Sequence, residues 1–219
     1  MSSSSPGVTA RRSAAQRRRS TVARRRRRVR RAVLTLASFA VALGVILFAV
    51  PLFESAYNHL TLPLDHEDII VQQAHEKGLD PALVAAVIYA ETKFDPRTSS
   101  AGAEGLMQIL PATAEFLARR SGATSFTVAD LSSPQVNITY GSYYLRYLLD
   151  SYGDNEMLAV AAYNAGQTNV DAWIAAARTH GHVLTANEIP FPETRAYVEK
   201  VESAQRRYRS TYPSELGYG

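Results

Sequence analysis

Residues 85–96, AAVIYAETKFDP, place a carboxylate on the apolar line of a predicted helix. Leu83, Val87 and Glu91 follow one another at intervals of four, so they share one helix face. Desolvation by apolar neighbours raises the pKa of a carboxyl group, which then keeps its proton closer to neutral pH. Such a group suits general acid catalysis. The alternative is a helix that ends at Ala90, with Glu91 in water.

The loop after this helix is rich in short hydrogen-bonding groups. It reads DPRTSSAGAEGLMQILP over residues 95–111. Its two glycines, Gly102 and Gly105, permit unusual backbone angles and the close approach of a ligand. A sugar-binding cleft needs many groups of this kind. An ordinary surface loop is the alternative.

Two later segments also carry polar groups on predicted helices. AAYNAG, residues 161–166, puts Tyr163 and Asn164 at a helix C-terminus. PETRAYV puts Glu193 and Tyr197 four residues apart on one helix face. The alternatives are a helix end capped by Asn and Gly, and a solvated helix start whose acid faces the positive end of the dipole.

Several other chemistries are excluded by composition and spacing. The chain has no Cys, so it has neither a catalytic thiol nor a disulfide. Its five His do not follow a zinc-binding spacing, and neither a phosphate loop nor a nucleophile elbow is present. The sequence therefore predicts no metal site and no cofactor.

The elements that must position these groups are helices. Residues 68–212 predict a compact, mainly α domain, because helical periodicity recurs between short Gly, Ser, Asn and Pro connections and no run alternates as a strand would. Asp80 and Pro81 are a good cap and first-turn residue for the helix that carries Glu91. The predicted helical segments are 68–78, 79–92, 111–122, 132–153, 155–166, 169–181 and 190–210.

The N-terminal quarter has the opposite character. Residues 1–31 hold 12 Arg and no acid, whereas residues 54–219 hold 12 basic and all 20 acidic residues, a net charge of −8. Between these parts, residues 32–53 are uncharged and long enough to cross a bilayer as a helix of about 33 Å. The adjoining Arg run predicts a cytoplasmic N-terminus and an extracytoplasmic domain.

This pattern predicts a basic cytoplasmic tail (1–31), a transmembrane signal anchor (32–53), a stalk (54–67), a catalytic domain (68–212) and a C-terminal tail (213–219). A cleaved signal peptide and a buried core helix are the alternatives for residues 32–53. A nucleic-acid-binding arm is the alternative for the Arg run, but its position beside an apolar span favours the membrane. We therefore expect no nucleic-acid partner.

The separate signals occur in one order along the chain. ETKFDPRTSSAGAEGLMQILPATA is followed by NITYGSYYLRYLL with LAVAAYNAG, and then by IPFPETRAYVEKV. This order resembles the soluble lytic transglycosylase family, whose fold is that of goose-type lysozyme in the α+β lysozyme-like superfamily. The three blocks span roughly residues 69–201, nearly the whole predicted domain.

The resemblance implies a role for each matching residue. Glu91 would be the catalytic acid and base, and Tyr197 would face it. Ser99 matches the site serine, although a spacer one residue shorter leaves Ser100 as the alternative. The other implied substrate-binding residues are Gln108, Leu110, Ala162, Tyr163, Asn164 and Glu193.

The implied activity is cleavage of the β-1,4 bond between N-acetylmuramic acid and N-acetylglucosamine in peptidoglycan strands, leaving 1,6-anhydro ends. Asp95 or Glu104 as a second carboxylate is a lesser hypothesis. A hydrolytic muramidase of the same fold, and a catalytically weak module that binds the cell wall or places a partner protein, are the alternative functions. No particular protein partner is predicted.

Overall fold

The computed structural model describes residues 43–50, 53, 57 and 60–218. The chain divides into two units, Met1–Ala56 and Tyr57–Gly219. In the first unit, residues 43–50 are helical and exposed. Most of the predicted span 32–53 lies outside the described residues. Among the helices that are described, none has the length and apolar character needed to cross a membrane.

The second unit is built from helices, as the sequence predicts. Two short 3₁₀ turns, Val128–Ser132 and Ala186–Glu188, were not expected from the sequence. Within residues 60–218 the β structure is limited to an isolated bridge between Glu104 and Ile109. The helices are α1 (Glu67–Lys77), α2 (Pro81–Glu91), α3 (Pro111–Ser121), α4 (Pro134–Ser151), α5 (Glu156–Ala165), α6 (Gln167–Thr179) and α7 (Pro192–Thr211).

Helix α2 lies at the centre of this unit. Its residues 82–88 are all buried, so it is covered on every side rather than on one face. It packs against α1 and α7, and α7 packs in turn on α5. The Asp80 side chain accepts a hydrogen bond of 3.0 Å from the Ala82 amide, which confirms the predicted cap. Because α2 is packed on all sides, the position of its last residue, Glu91, is fixed relative to the core.

Packing extends beyond the predicted domain bounds of 68–212. Leu62, in the predicted stalk, is fully buried, and the Tyr212 hydroxyl donates to its carbonyl oxygen at 2.8 Å. Leu216, in the predicted tail, is 1% exposed, and the Tyr218 hydroxyl donates to Asp80 at the start of α2. Residues on both flanks are therefore part of the helical unit, because each supplies a side chain that the core needs.

Candidate active site

Glu91 is the last residue of α2, so the helix runs through it rather than ending at Ala90. The Tyr197 hydroxyl, from α7, donates a hydrogen bond of 2.7 Å to its Oε1 atom. Burial raises the pKa of the Glu91 carboxyl group, and three groups partly offset this: the Tyr197 hydrogen bond and the charges of Lys200 and Arg97. The carboxyl group is thus desolvated, as the sequence predicts, and also held in a fixed direction.

Two tyrosines from different helices lie close to this carboxyl group. Burial raises the pKa of both Tyr163 and Tyr197, and the negative charge of Glu91 raises each further. Both phenols therefore keep their protons and act as donors. The Tyr163 hydroxyl donates to the Met107 carbonyl oxygen at 2.9 Å, which ties α5 to the loop that follows α2.

The chain reverses direction immediately after Glu91. Thr92 is 2% exposed, and its hydroxyl donates to the Leu106 carbonyl oxygen at 2.8 Å. Lys93 and Phe94 both have positive φ angles, 54° and 65°, which side chains rarely adopt. Phe94 is 8% exposed, and its buried ring anchors the turn. The buried side chains of Thr92 and Phe94, on either side of Lys93, hold this strained turn in place.

Gln108 connects the loop to the Glu91 backbone. Its Nε2 atom donates to the carbonyl oxygens of Arg97, at 2.6 Å, and Gly105, at 2.8 Å. The Arg97 guanidinium donates in turn to the Glu91 carbonyl oxygen at 3.1 Å. Gln108 has a φ angle of 50°, a further sparsely populated conformation at this place.

Ser99 lies in a tight part of the same loop. Its hydroxyl accepts a hydrogen bond of 3.0 Å from the Ala103 amide, and its own amide donates to the Ala103 carbonyl oxygen at 2.9 Å. Ser99 is half-buried, whereas Ser100 is exposed. The geometry therefore favours Ser99 as the serine that shapes the loop.

Asn137, on α4, forms hydrogen bonds to the loop between α2 and α3. It was not among the residues predicted from the sequence. It is 1% exposed, and its Oδ1 atom accepts from the Met107 amide at 2.8 Å. Its Nδ2 atom donates to the carbonyl oxygens of Glu104, at 2.9 Å, and Leu131, at 3.0 Å. An Asn inside an otherwise apolar helix face was the signal, because such a residue is disfavoured in a helix unless its side chain has partners.

Two glycines let the loop approach α4 closely. A Cβ atom on Gly105 would lie 2.2 Å from the Asn137 Nδ2 atom, and the residue has a φ angle of +74°. A Cβ atom on Gly141 would lie 2.2 Å from the Met107 Sδ atom. Any larger side chain at either position would push the loop away from the helix.

The structure places the other predicted residues in three different surroundings. Asn164 and Glu193 border a cavity of about 420 Å³, where the Thr194 hydroxyl donates to the Asn164 Oδ1 atom at 2.8 Å. Leu110 is 45% exposed, immediately before the first residue of α3. Ala162 is fully buried beside Tyr163, so any contact with a ligand would come from its backbone, and its role stays a prediction.

This arrangement offers one partly desolvated carboxyl group with a fixed hydrogen-bond donor and two nearby cations. Asp95 is exposed, and the half-buried Glu104 accepts a hydrogen bond from the Thr98 hydroxyl at 2.8 Å; neither is among the groups that shift the pKa of Glu91. In the part of the chain that the structure describes, no three His, Asp or Glu side chains are grouped to hold a metal ion. The site is suited to moving one proton.

Known proteins share this fold and sequence pattern. The soluble lytic murein transglycosylase of Salmonella typhimurium is 33% identical over 158 residues, which cover 70% of this chain and 24% of that protein. The membrane-bound lytic murein transglycosylase C of Glaesserella parasuis is 28% identical over 165 residues, covering 65% of this chain and 45% of that protein. The crystal structure of the 70 kDa soluble lytic transglycosylase from Escherichia coli superposes with a TM-score of 0.65 at 29% identity, covering 73% of this chain and 26% of that one.

The chain therefore spans about a quarter of the length of the soluble relatives. The family model for the transglycosylase SLT domain matches residues 68–184, more than half of the chain. That range includes Glu91, the Ser-Gly loop, Asn137 and Tyr163, while Tyr197 follows it on α7. From its helical fold, its site and these matches, we conclude that the chain belongs to the transglycosylase SLT domain family.

Proposed function

We propose that this protein is a peptidoglycan lytic transglycosylase that cleaves the bond between N-acetylmuramic acid and N-acetylglucosamine. The observation that carries the proposal is the half-buried Glu91 carboxyl group, with its raised pKa and its 2.7 Å hydrogen bond from Tyr197. Relatives named lytic murein transglycosylases support the substrate.

The first step needs a protonated Glu91. Its carboxyl group donates the proton to the glycosidic oxygen as the bond to the anomeric carbon breaks. The N-acetyl group of the substrate stabilises the cationic carbon, so the enzyme needs no second carboxylate as a nucleophile. Asp95 and Glu104 consequently have no role in this step.

The second step returns the proton. The Glu91 carboxylate takes it from the 6-hydroxyl of muramic acid, whose oxygen attacks the anomeric carbon and forms the 1,6-anhydro ring. No water is consumed, and Glu91 ends protonated, ready for another cycle. The Tyr197 hydroxyl stabilises the carboxylate between the two steps, because a hydrogen bond to the charged form favours it.

Cleavage of purified peptidoglycan tests this proposal. We expect the wild-type chain to release products with 1,6-anhydro ends, and Glu91→Gln to lower the rate by about 10²–10⁴-fold, because the proton donor and acceptor is lost. Asp95→Asn and Glu104→Gln are the matched controls and should retain activity. Product masses separate the reactions, since hydrolysis adds one water. Hydrolysed ends, or equal products from wild type and Glu91→Gln, would contradict the proposal.

Thermal unfolding shows whether Glu91→Gln loses activity because the carboxyl group is gone or because the variant misfolds. Because burial raises the pKa of Glu91, its ionisation disfavours the folded state, and stability falls as the pH rises from the ordinary Glu pKa to the raised one. Glu91→Gln removes that cost. The variant should therefore unfold at a temperature no lower than the wild type at neutral pH.

We also propose that residues 32–53 anchor the protein in the cell membrane, with residues 1–31 in the cytoplasm and the helical unit outside. The support is the uncharged 22-residue segment, its 12 preceding Arg and a relative named as membrane-bound. This orientation would place Glu91 on the side of the membrane where peptidoglycan lies.

A further inference from the structure

Three cations gather at the C-terminal end of α2, beside Glu91. The Arg97 guanidinium donates to the Glu91 carbonyl oxygen at 3.1 Å, and the Lys200 ammonium donates to the Ala90 carbonyl oxygen at 2.6 Å. Lys93 follows Glu91 by two residues. All three residues are exposed. We call Lys93, Arg97 and Lys200 the basic patch.

The three charges are close enough to affect one another. Burial lowers the pKa of the Lys200 ammonium, and the positive charges of Lys93 and Arg97 lower it further, while Glu91 acts in the opposite direction. Within the described residues, none of the three cations lies within ion-pair distance of a carboxylate. Glu91 and the Tyr89 ring, whose centroid lies 5.7 Å from the Lys200 ammonium, offset part of the repulsion among the three cations. A further anion beside them would offset more of it.

Helix capping explains only part of this arrangement. Cations commonly bind the last carbonyl groups of a helix, and Arg97 and Lys200 do so. The Lys93 amide donates to the Tyr89 carbonyl oxygen at 3.1 Å, but within the described residues its side-chain ammonium has no hydrogen-bond or ion-pair partner. It sits in a turn with a φ angle of 54°, and its side chain is exposed.

The patch also contrasts with the rest of the unit. Residues 54–219 carry a net charge of −8, which repels an anionic polymer, yet three positive charges adjoin the group that would act on it. A local positive field beside a reacting group orients an anionic substrate there. The peptides attached to muramic acid carry carboxylates near the bond that we propose is cleaved.

We propose that the basic patch binds a carboxylate of the peptide attached to muramic acid, and so selects peptide-bearing glycan strands. The inference rests on the proposed function. Arg97 and Lys200 also act on the pKa of Glu91, so changing them would alter the chemistry as well as binding. Lys93 is not among the groups that shift the pKa of Glu91, which makes it the residue to test.

The experiment measures KM and kcat of the full chain in detergent on two substrates. The first is peptidoglycan strands freed of phosphate-containing wall polymers with hydrofluoric acid. The second is the same material with its carboxyl groups converted to methylamides. The variants are Lys93→Gln, the charge-retaining Lys93→Arg, and Arg206→Gln, a matched loss of one exposed cation elsewhere on α7.

We expect Lys93→Gln to raise KM on the unmodified strands by about two- to fivefold, the range for one exposed ion pair, with kcat unchanged. Lys93→Arg and Arg206→Gln should match the wild type. On the methylamide strands the wild type should itself have a KM higher than on the unmodified strands. There, Lys93→Gln should have the same KM as the wild type. Sedimentation of the Glu91→Gln chain, with and without Lys93→Gln, should show the same ratio in binding without turnover.

A Lys93→Gln effect that persists on the methylamide strands, or one no larger than that of Arg206→Gln, would overturn the inference while leaving the proposed function intact. Failure of the wild type to release anhydro products from either substrate would refute the proposed function itself, and the inference would fall with it.

Discussion

At the scale of single residues, the chemistry depends on how the Glu91 carboxyl group is solvated and bonded. Desolvation raises its pKa, whereas the Tyr197 hydrogen bond and the charges of Lys200 and Arg97 lower it in part. The raised pKa favours the protonated form that starts the proposed reaction, and the hydrogen bond and the two cations favour the carboxylate that forms during it. Tyr197 is itself buried, at 8% exposure, so it cannot turn away to solvent.

The Tyr197 hydrogen bond gives a prediction for pH dependence. Activity should fall as the pH rises through the pKa of Glu91, because protonated Glu91 starts the reaction. Tyr197→Phe removes a hydrogen bond that lowers this pKa, so the basic limb of the profile should move to higher pH. Rate measurements across pH check this shift.

Tyr212→Phe is the control for that experiment. It deletes the same hydroxyl from a buried tyrosine that bonds the Leu62 carbonyl oxygen instead. Its pH profile should equal that of the wild type. A Tyr197→Phe profile that moves to lower pH, or not at all, would show that the hydrogen bond does not tune Glu91.

At the scale of elements, the loop between α2 and α3 is held by three different helices. Thr92 at the end of α2, Asn137 on α4 and Tyr163 on α5 each bond a backbone group of residues 104–107. Gly141 allows Met107 to pack directly on α4. The loop therefore has a fixed shape although it contains little regular secondary structure.

Asn137→Ala should disturb both the loop and the fold. It leaves the Met107 amide and the Glu104 and Leu131 carbonyl oxygens without their side-chain partner in a buried place. We expect a loss of about 2–4 kcal/mol in the free energy of unfolding. Activity should fall as well, because Ser99 and Gln108 lie on this loop. Denaturant unfolding and product release measure the two effects.

Asn169→Ala provides the comparison, since Asn169 makes one side-chain bond to the Ala165 carbonyl oxygen on the outer part of the helical unit. Its effect on stability should be under about 1 kcal/mol, and its activity should be normal. Equal effects of the two substitutions would mean that Asn137 does not organise the loop.

At the scale of the whole molecule, the chain combines two units of opposite character. Residues 1–31 carry 12 Arg and no acid, whereas the unit Tyr57–Gly219 contains the family match and the candidate active site. Leu62 and Leu216 complete the core of the second unit from both flanks. A fragment limited to residues 68–212 would lose both of them.

Truncation tests this division. Residues 57–219 should fold, remain in the supernatant after carbonate extraction of membranes, and release anhydro products from soluble glycan strands at the rate of the full chain. The full chain should stay with the membrane pellet, because its residues 32–53 would span the bilayer. A full chain that is extracted by carbonate would contradict the proposed anchor.

The sequence by itself determined the local features. The helical segments, the Asp80 cap and the place of Glu91 follow from periodicity, capping and turn chemistry, all of which act over a few residues. The order of the motif blocks also indicated the family and the partnership of Glu91 with Tyr197.

Tertiary structure decided the rest, because it depends on contacts between residues far apart in the chain. Tyr197 reaches Glu91 across 106 positions, and Asn137 reaches Met107 across 30. The same packing buries Ala162, includes Leu62 and Leu216 in the core, and brings Lys200 on α7 to the end of α2 beside Arg97. The crossing of α7 over α2 brings Tyr197 and Lys200 to the end of α2 where Glu91 lies, and helix periodicity does not specify that crossing.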